Sequence, residues 1–124
     1  MKEGKAIEVH EYEAIRNTLK YYVNGAFAGK SDIMKNAFHE LAQIYGQLGD
    51  QQFADPIQAL YTYVDEHPPA EDLKYAIRSV DRSGDAATAR IEITNWHGHT
   101  FTDFFTLLKI DQGWVITNKI FTLH

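Results

Sequence analysis

A chain of 124 residues with 44% apolar and 13% aromatic side chains has the length of one domain and enough apolar surface to bury a core, which excludes a disordered chain. It contains no cysteine, so disulfides, thiol nucleophiles and thiolate metal sites are excluded together. The net charge of −5, from 17 acidic and 12 basic side chains, argues against a phosphate-binding face. Nucleic acid is therefore not an expected partner, and no stretch approaches the ~20 apolar residues of a membrane span. The opening MKEGKAIEVH lacks the apolar run of a secretion signal, so a cytoplasmic location is expected.

The first predicted element is a helix over Glu8 to Ala28. Tyr12, Ile15, Leu19, Tyr22, Val23, Ala26 and Phe27 recur at helical spacing, which is the stripe of a one-sided amphipathic helix. Glu11, Glu13, Arg16 and Lys20 fall mostly off that stripe. Gly29 supplies a helix end, and Ser31 or Asp32 can cap a short second helix over Ile33 to Phe38. Leu41, Ala42, Ile44 and Tyr45 form an extended run ended by Gly46, Gly49-Asp50 turns, and Gln51 to Phe53 returns. Asp55-Pro56 reads as a cap followed by a first-turn proline. Ile57, Leu60, Tyr61 and Val64 then face a third helix to the core, and Pro68-Pro69 closes it.

The remainder reads as four strands: Tyr75 to Arg82, Ala86 to Trp96, Thr100 to Ile110 and Trp114 to Leu123. The turns are Ser83-Gly84-Asp85, His97-Gly98-His99 and Asp111-Gln112-Gly113. Strands joined by turns this short must be antiparallel neighbours. In the longest strand one face carries Phe101, Asp103, Phe105 and Leu107, and the other Thr102, Phe104, Thr106, Leu108 and Ile110. Both are largely apolar, whereas a sheet with one wet face alternates cleanly. The second face needs a cover, and a homodimer through the sheet face is the expected one.

This order of elements resembles the cystatin-like α+β cone of the nuclear transport factor 2-like superfamily. The passage Tyr22-Val23-Asn24-Gly25-Ala26, Gly29 and Ala37-Phe38-His39 is similar to that superfamily's first-to-second helix segment. The run from Phe101 through Ile110-Asp111-Gln112-Gly113-Trp114 to Lys119 resembles the C-terminal hairpin of its SnoaL-like, "putative lumazine-binding" branch. The resemblance covers about Val9 to Leu123. It implies a single domain over residues 1–124: three N-terminal helices packed on a strongly bent antiparallel sheet, with a pocket between them and homodimers through the outer face. The superfamily includes isomerases, dehydratases, hydrolases and plain binding domains, so the site must decide function.

Asp103 stands on a strand with nearly all neighbours apolar. Desolvation would raise its pKa, as a general acid or base requires. Against this, it could be a hydrogen-bonded structural group or an ion-pair member at a dimer face. His39 could shuttle a proton, or be a helix-end cation. These two are the candidate catalytic residues. Tyr22, Tyr45, Trp96 and Asn118 are the candidate ligand contacts. Asn118 shares period-two parity with Trp114, Ile116 and Ile120. The resemblance to steroid isomerases puts Tyr22 at their oxyanion-binding tyrosine. It puts their catalytic aspartate near Tyr45-Gly46, where no carboxylate stands, and their second carboxylate near Thr102, one position from Asp103. His97 and His99 could share a face with Asp103 as metal ligands, but Gly98 at the turn breaks that parity, so no metal is expected. No Gly-rich phosphate loop or Gly-x-Ser-x-Gly occurs, and no cofactor is expected. Three functions fit: a domain binding a small, largely apolar or aromatic molecule, a cofactor-free isomerase, dehydratase or hydrolase using Asp103 or His39, and a dimeric interaction module.

Overall fold

The computed structural model describes residues 2–111 and 113–124, with side chains described from residue 8 onward. Gln112, in the last predicted turn, lies outside the described residues. The order is α1 (Lys2–Ala28), α2 (Ser31–Met34), β1 (Phe38–Leu48), β2 (Gln51–Pro56), α3 (Gln58–Glu66), β3 (Lys74–Ser83), β4 (Ala86–Trp96), β5 (His99–Ile110) and β6 (Gly113–Leu123). Six strands form one sheet in the order β2-β1-β6-β5-β4-β3. No helix among the described residues is long and apolar enough to cross a membrane.

The helical stripe of α1 is its buried face: Ile15, Leu19, Tyr22, Val23 and Ala26 pack into the core. The sheet answers with Ala87, Ala89, Ile91 and Ile93 from β4, Phe105 and Leu107 from β5, and Trp114 and Ile116 from β6. Each large apolar side chain fully buried here contributes about 1.5–3 kcal/mol. The helix starts at Lys2 rather than Glu8, since Lys, Glu and Ala in the preceding residues are good helix formers. Gly29 ends it with φ 64°, and Lys30 N–H donates back to the Gly25 carbonyl at 3.0 Å.

Four further expectations are corrected. The second helix covers only Ser31–Met34, and Phe38 already opens β1. Its first turn is held from outside: Ser31 N–H and Oγ donate to the two carboxylate oxygens of Asp65 on α3, at 2.9 and 2.7 Å. Asp55-Pro56 does not start α3. Pro56 ends β2, an edge strand where its missing N–H is tolerated, and Ile57 takes the N-cap position. The sheet is not wholly antiparallel, because β1 runs parallel to β6. No short turn joins those two strands, so nothing local fixes their relative direction. Lastly, Glu11 is buried although the helical spacing puts it off the stripe: it accepts from Lys109 Nζ at 2.5 Å and from the Trp114 indole at 2.7 Å.

The sheet bends at bulges. Asn95, with φ 61°, lies where the β4–β5 register shifts between Ile93 and Trp96. In β5–β6, Thr106 pairs with Asn118 but Leu107 pairs with Ile116. Thr117 is the extra residue, and strand parity reverses across it.

Candidate functional site

An apolar pocket lies between the sheet and α3. Its wall is Ile44 and Leu48 of β1, Phe53 of β2, Leu60 and Tyr63 of α3, Trp96 of β4, Phe101 of β5, and Lys119 and Phe121 of β6. The cavity is small, about 30 Å³, which is room for about two waters. Leu48 and Tyr63 are the partly exposed members of this wall and form its mouth. Gly46 lets the Phe121 ring of the wall lie against the β1 backbone, since a Cβ there would stand 2.5 Å from that ring.

Lys119 is the one charged residue in the wall, and only 3% of it is exposed. It points inward because of the bulge at Thr117. Without the extra residue, strict alternation would put Trp114, Ile116 and Asn118 inside and Lys119 outside. Instead Trp114, Ile116, Lys119 and Phe121 are buried. The Lys119 ammonium lies 4.5 Å from the centre of the Phe121 ring and 5.5 Å from that of Tyr22, contacts that favour the charged form.

Asp103 stands behind Lys119, paired across the strands with Phe121, and is 1% exposed. Tyr22, reaching in from α1, donates its hydroxyl to Oδ2 at 2.5 Å. Oδ1 has no hydrogen-bond partner, and its nearest cation is the Lys119 Nζ at 3.6 Å, beyond hydrogen-bonding distance. Burial pushes the Asp103 carboxyl up, against the opposing pull of Lys119 and Tyr22. Burial likewise pushes Lys119 down, against the pull of Asp103. The Tyr22 hydroxyl is held well above its ordinary value, by burial first and the Asp103 charge second, so it remains a donor. The arrangement can hold one proton on either member of a buried amine–carboxyl pair beside the pocket.

Of the residues singled out from sequence, Trp96 lies in the pocket wall, while Tyr22 and Asp103 meet just behind it. The other three lie elsewhere. His39 accepts a hydrogen bond from the Leu41 N–H through Nδ1 at 3.0 Å on the exposed side of β1. Tyr45 is 42% exposed. Asn118 lines a shallow outer-face depression with Phe104 and Ile120, so its supposed shared face with Trp114 and Ile116 is broken at Thr117. His97 is exposed in the β4–β5 turn, and among the described residues no group of His, Asp or Glu could hold a metal ion. Lys119 was missed. Its only sequence signal is the polar run Thr117-Asn118-Lys119, which interrupts the alternation of an otherwise apolar strand.

The model of the family described as "putative lumazine-binding" matches residues 10–122. The chain belongs to this family. As an NTF2-like domain it is similar to a protein of unknown function from Methylobacillus flagellatus, at 39% identity and a TM-score of 0.90 over 94% of each chain. A second, from Shewanella baltica, is 38% identical with a TM-score of 0.88, covering 94% of this chain and 95% of that one. Among curated proteins, Aldolase FrzH from Cladobotryum sp is 30% identical over 119 residues, 95% of each chain.

Proposed function

We propose that this NTF2-like domain binds a small, largely apolar molecule in the pocket between the sheet and α3. The observation that carries this reading is a wall of aliphatic and aromatic side chains with a single charged residue, Lys119, backed by Asp103 and Tyr22. An apolar pocket with few convergent polar groups is the usual form of a small-molecule site. Because the cavity is small, admission of anything larger than a few atoms requires Leu48 and Tyr63 to rotate. Methyl NMR titration with phenol and with lumazine tests the reading. Shifts should concentrate on Ile44, Leu48 and Leu60. Shifts confined to Leu108 and Ile120 on the outer face, or none with either compound, would overturn it.

A second reading is favoured by the unpartnered oxygen of Asp103: the bound molecule is also turned over, with Asp103 moving a proton. The aldolase name of the Cladobotryum relative supports carbonyl chemistry as the class. The outer face carries Tyr45, Phe104, Leu108 and Ile120, each at least 39% exposed, and we propose a second copy of the chain as its cover.

A further inference from the structure

We infer that Lys119 is a nucleophile: its Nζ condenses with a small ketone or aldehyde in the cone pocket to form an iminium, with Asp103 as the proton partner. This rests on the reading that the pocket admits a small apolar molecule. It adds the atom that would hold the molecule and the functional group it must carry.

Three observations converge on this amine. The first is position. Lys119 is the only charged residue in the wall, and neither Asp103 nor Tyr22 belongs to the wall, so the charged side chain a bound molecule meets is the lysine and not the carboxylate. The second is the incomplete ion pair. A buried pair that serves structure closes to hydrogen-bonding distance and uses its remaining lone pairs, since otherwise desolvation outweighs attraction. Here Nζ stops 3.6 Å short of Oδ1, and Oδ1 has no other partner. Tyr22 occupies the second oxygen, which turns Oδ1 toward the amine as the free proton acceptor. The third is the medium. The wall is made of the rings of Phe121, Phe101 and Trp96 and the aliphatic groups of Ile44 and Leu60, and Lys119 and Asp103 are both buried, which disfavours charge on both partners and makes the neutral amine–carboxylic acid pair accessible. A neutral amine in an apolar pocket is the form that attacks a carbonyl carbon.

The step balances with these groups alone. The amine lone pair forms the C–N bond, and the carbonyl π pair moves to oxygen, which takes the proton of the Asp103 carboxylic acid. The nitrogen, now positive, returns one proton to the carboxylate. The carbinolamine hydroxyl takes that proton and leaves as water while the nitrogen lone pair forms C=N. The sum is ketone, amine and carboxylic acid going to iminium, carboxylate and water. The resulting iminium–carboxylate pair reproduces the original ion pair. It leaves Asp103 as a base beside the acidified carbon–hydrogen bonds next to the iminium carbon.

The test uses the unmodified protein, acetone and sodium cyanoborohydride, which delivers hydride to an iminium and fixes an isopropyl group on the amine. Peptide mapping then follows each lysine with time, and methyl NMR follows Ile44, Leu48 and Leu60 with acetone alone. The expected result is methyl shifts together with isopropylation of Lys119 about tenfold or more ahead of the exposed Lys20, Lys30, Lys35 and Lys74, because burial favours the neutral amine that attacks the carbonyl. Asp103→Asn should slow the Lys119 adduct and leave the acetone-induced shifts in place. Methyl shifts with Lys119 still unmodified after the exposed lysines have reacted would overturn the nucleophile and leave the binding reading intact. Neither shifts nor a Lys119 adduct would overturn both. A Lys119 adduct formed equally fast in folded Asp103→Asn would overturn the assignment of Asp103 as the proton partner.

Discussion

Tyr22 and Asp103 are 81 residues apart in sequence and share the shortest side-chain contact of the site, 2.5 Å. Each was legible singly, Tyr22 from the helical stripe and Asp103 as a carboxylate among apolar neighbours. Their pairing was not, because it depends on how α1 crosses the sheet. Lys119 was hidden for a different reason. Period-two counting assigns it to the outer face, and one extra residue at Thr117 reverses that. The contact yields a prediction. Tyr22→Phe keeps the ring packing and leaves a second buried oxygen of Asp103 without a donor. Denaturant unfolding should show a loss of about 1–3 kcal/mol. The Asp103 carboxyl should titrate still higher, because the lost hydrogen bond favoured its charged form. Unchanged stability with an unchanged titration would show that the hydroxyl does not hold the carboxylate.

The elements were readable where a repeat decides them. The stripe of α1 and the antiparallel pairing of the last four strands rest on local spacing, and the stripe is buried and the strands pair accordingly. The parallel β1–β6 pair and the partial caps around α2 and α3 rest on distant partners, which spacing does not report. Two element contacts give predictions. Glu11 anchors α1 to the β5–β6 hairpin, and its carboxyl is held below its ordinary value by the hydrogen bonds from Lys109 first and Trp114 second. A carboxyl depressed in the folded state adds stability above its unfolded value, and this is lost as pH falls through the folded one. Glu11→Gln should therefore flatten the fall in melting temperature below about pH 4.5 relative to the unmodified protein. Parallel curves would remove Glu11 as a pH-linked anchor. Gly25 lets α1 touch α2, for a Cβ there would stand 2.5 Å from the Met34 Cβ and 2.8 Å from its backbone nitrogen. Gly25→Ala should lower stability by about 1–3 kcal/mol through overpacking, although alanine is the better helix former. A gain in denaturant stability would contradict so close a contact.

For the whole molecule, the two faces of the sheet have different tasks. The concave face carries the core and the pocket. The convex face leaves Phe104 45% and Ile120 49% exposed, side by side as a cross-strand pair. Under the proposed dimer, Phe104→Lys should give monomers in sedimentation, because a charge without a partner is costly at an apolar interface. An unmodified protein that sediments as a monomer at high concentration would remove the dimer and leave the pocket untouched. The central claim is that Asp103 and Lys119 form a desolvated proton pair at the inner end of a ligand pocket. Carboxyl-carbon NMR titration of Asp103, in the free protein and with the pocket filled by phenol, tests it most directly. The account predicts a titration above the ordinary carboxyl value of 3.8, and a further change when phenol fills the pocket beside Lys119. A titration at or below 3.8 that phenol does not move would contradict it.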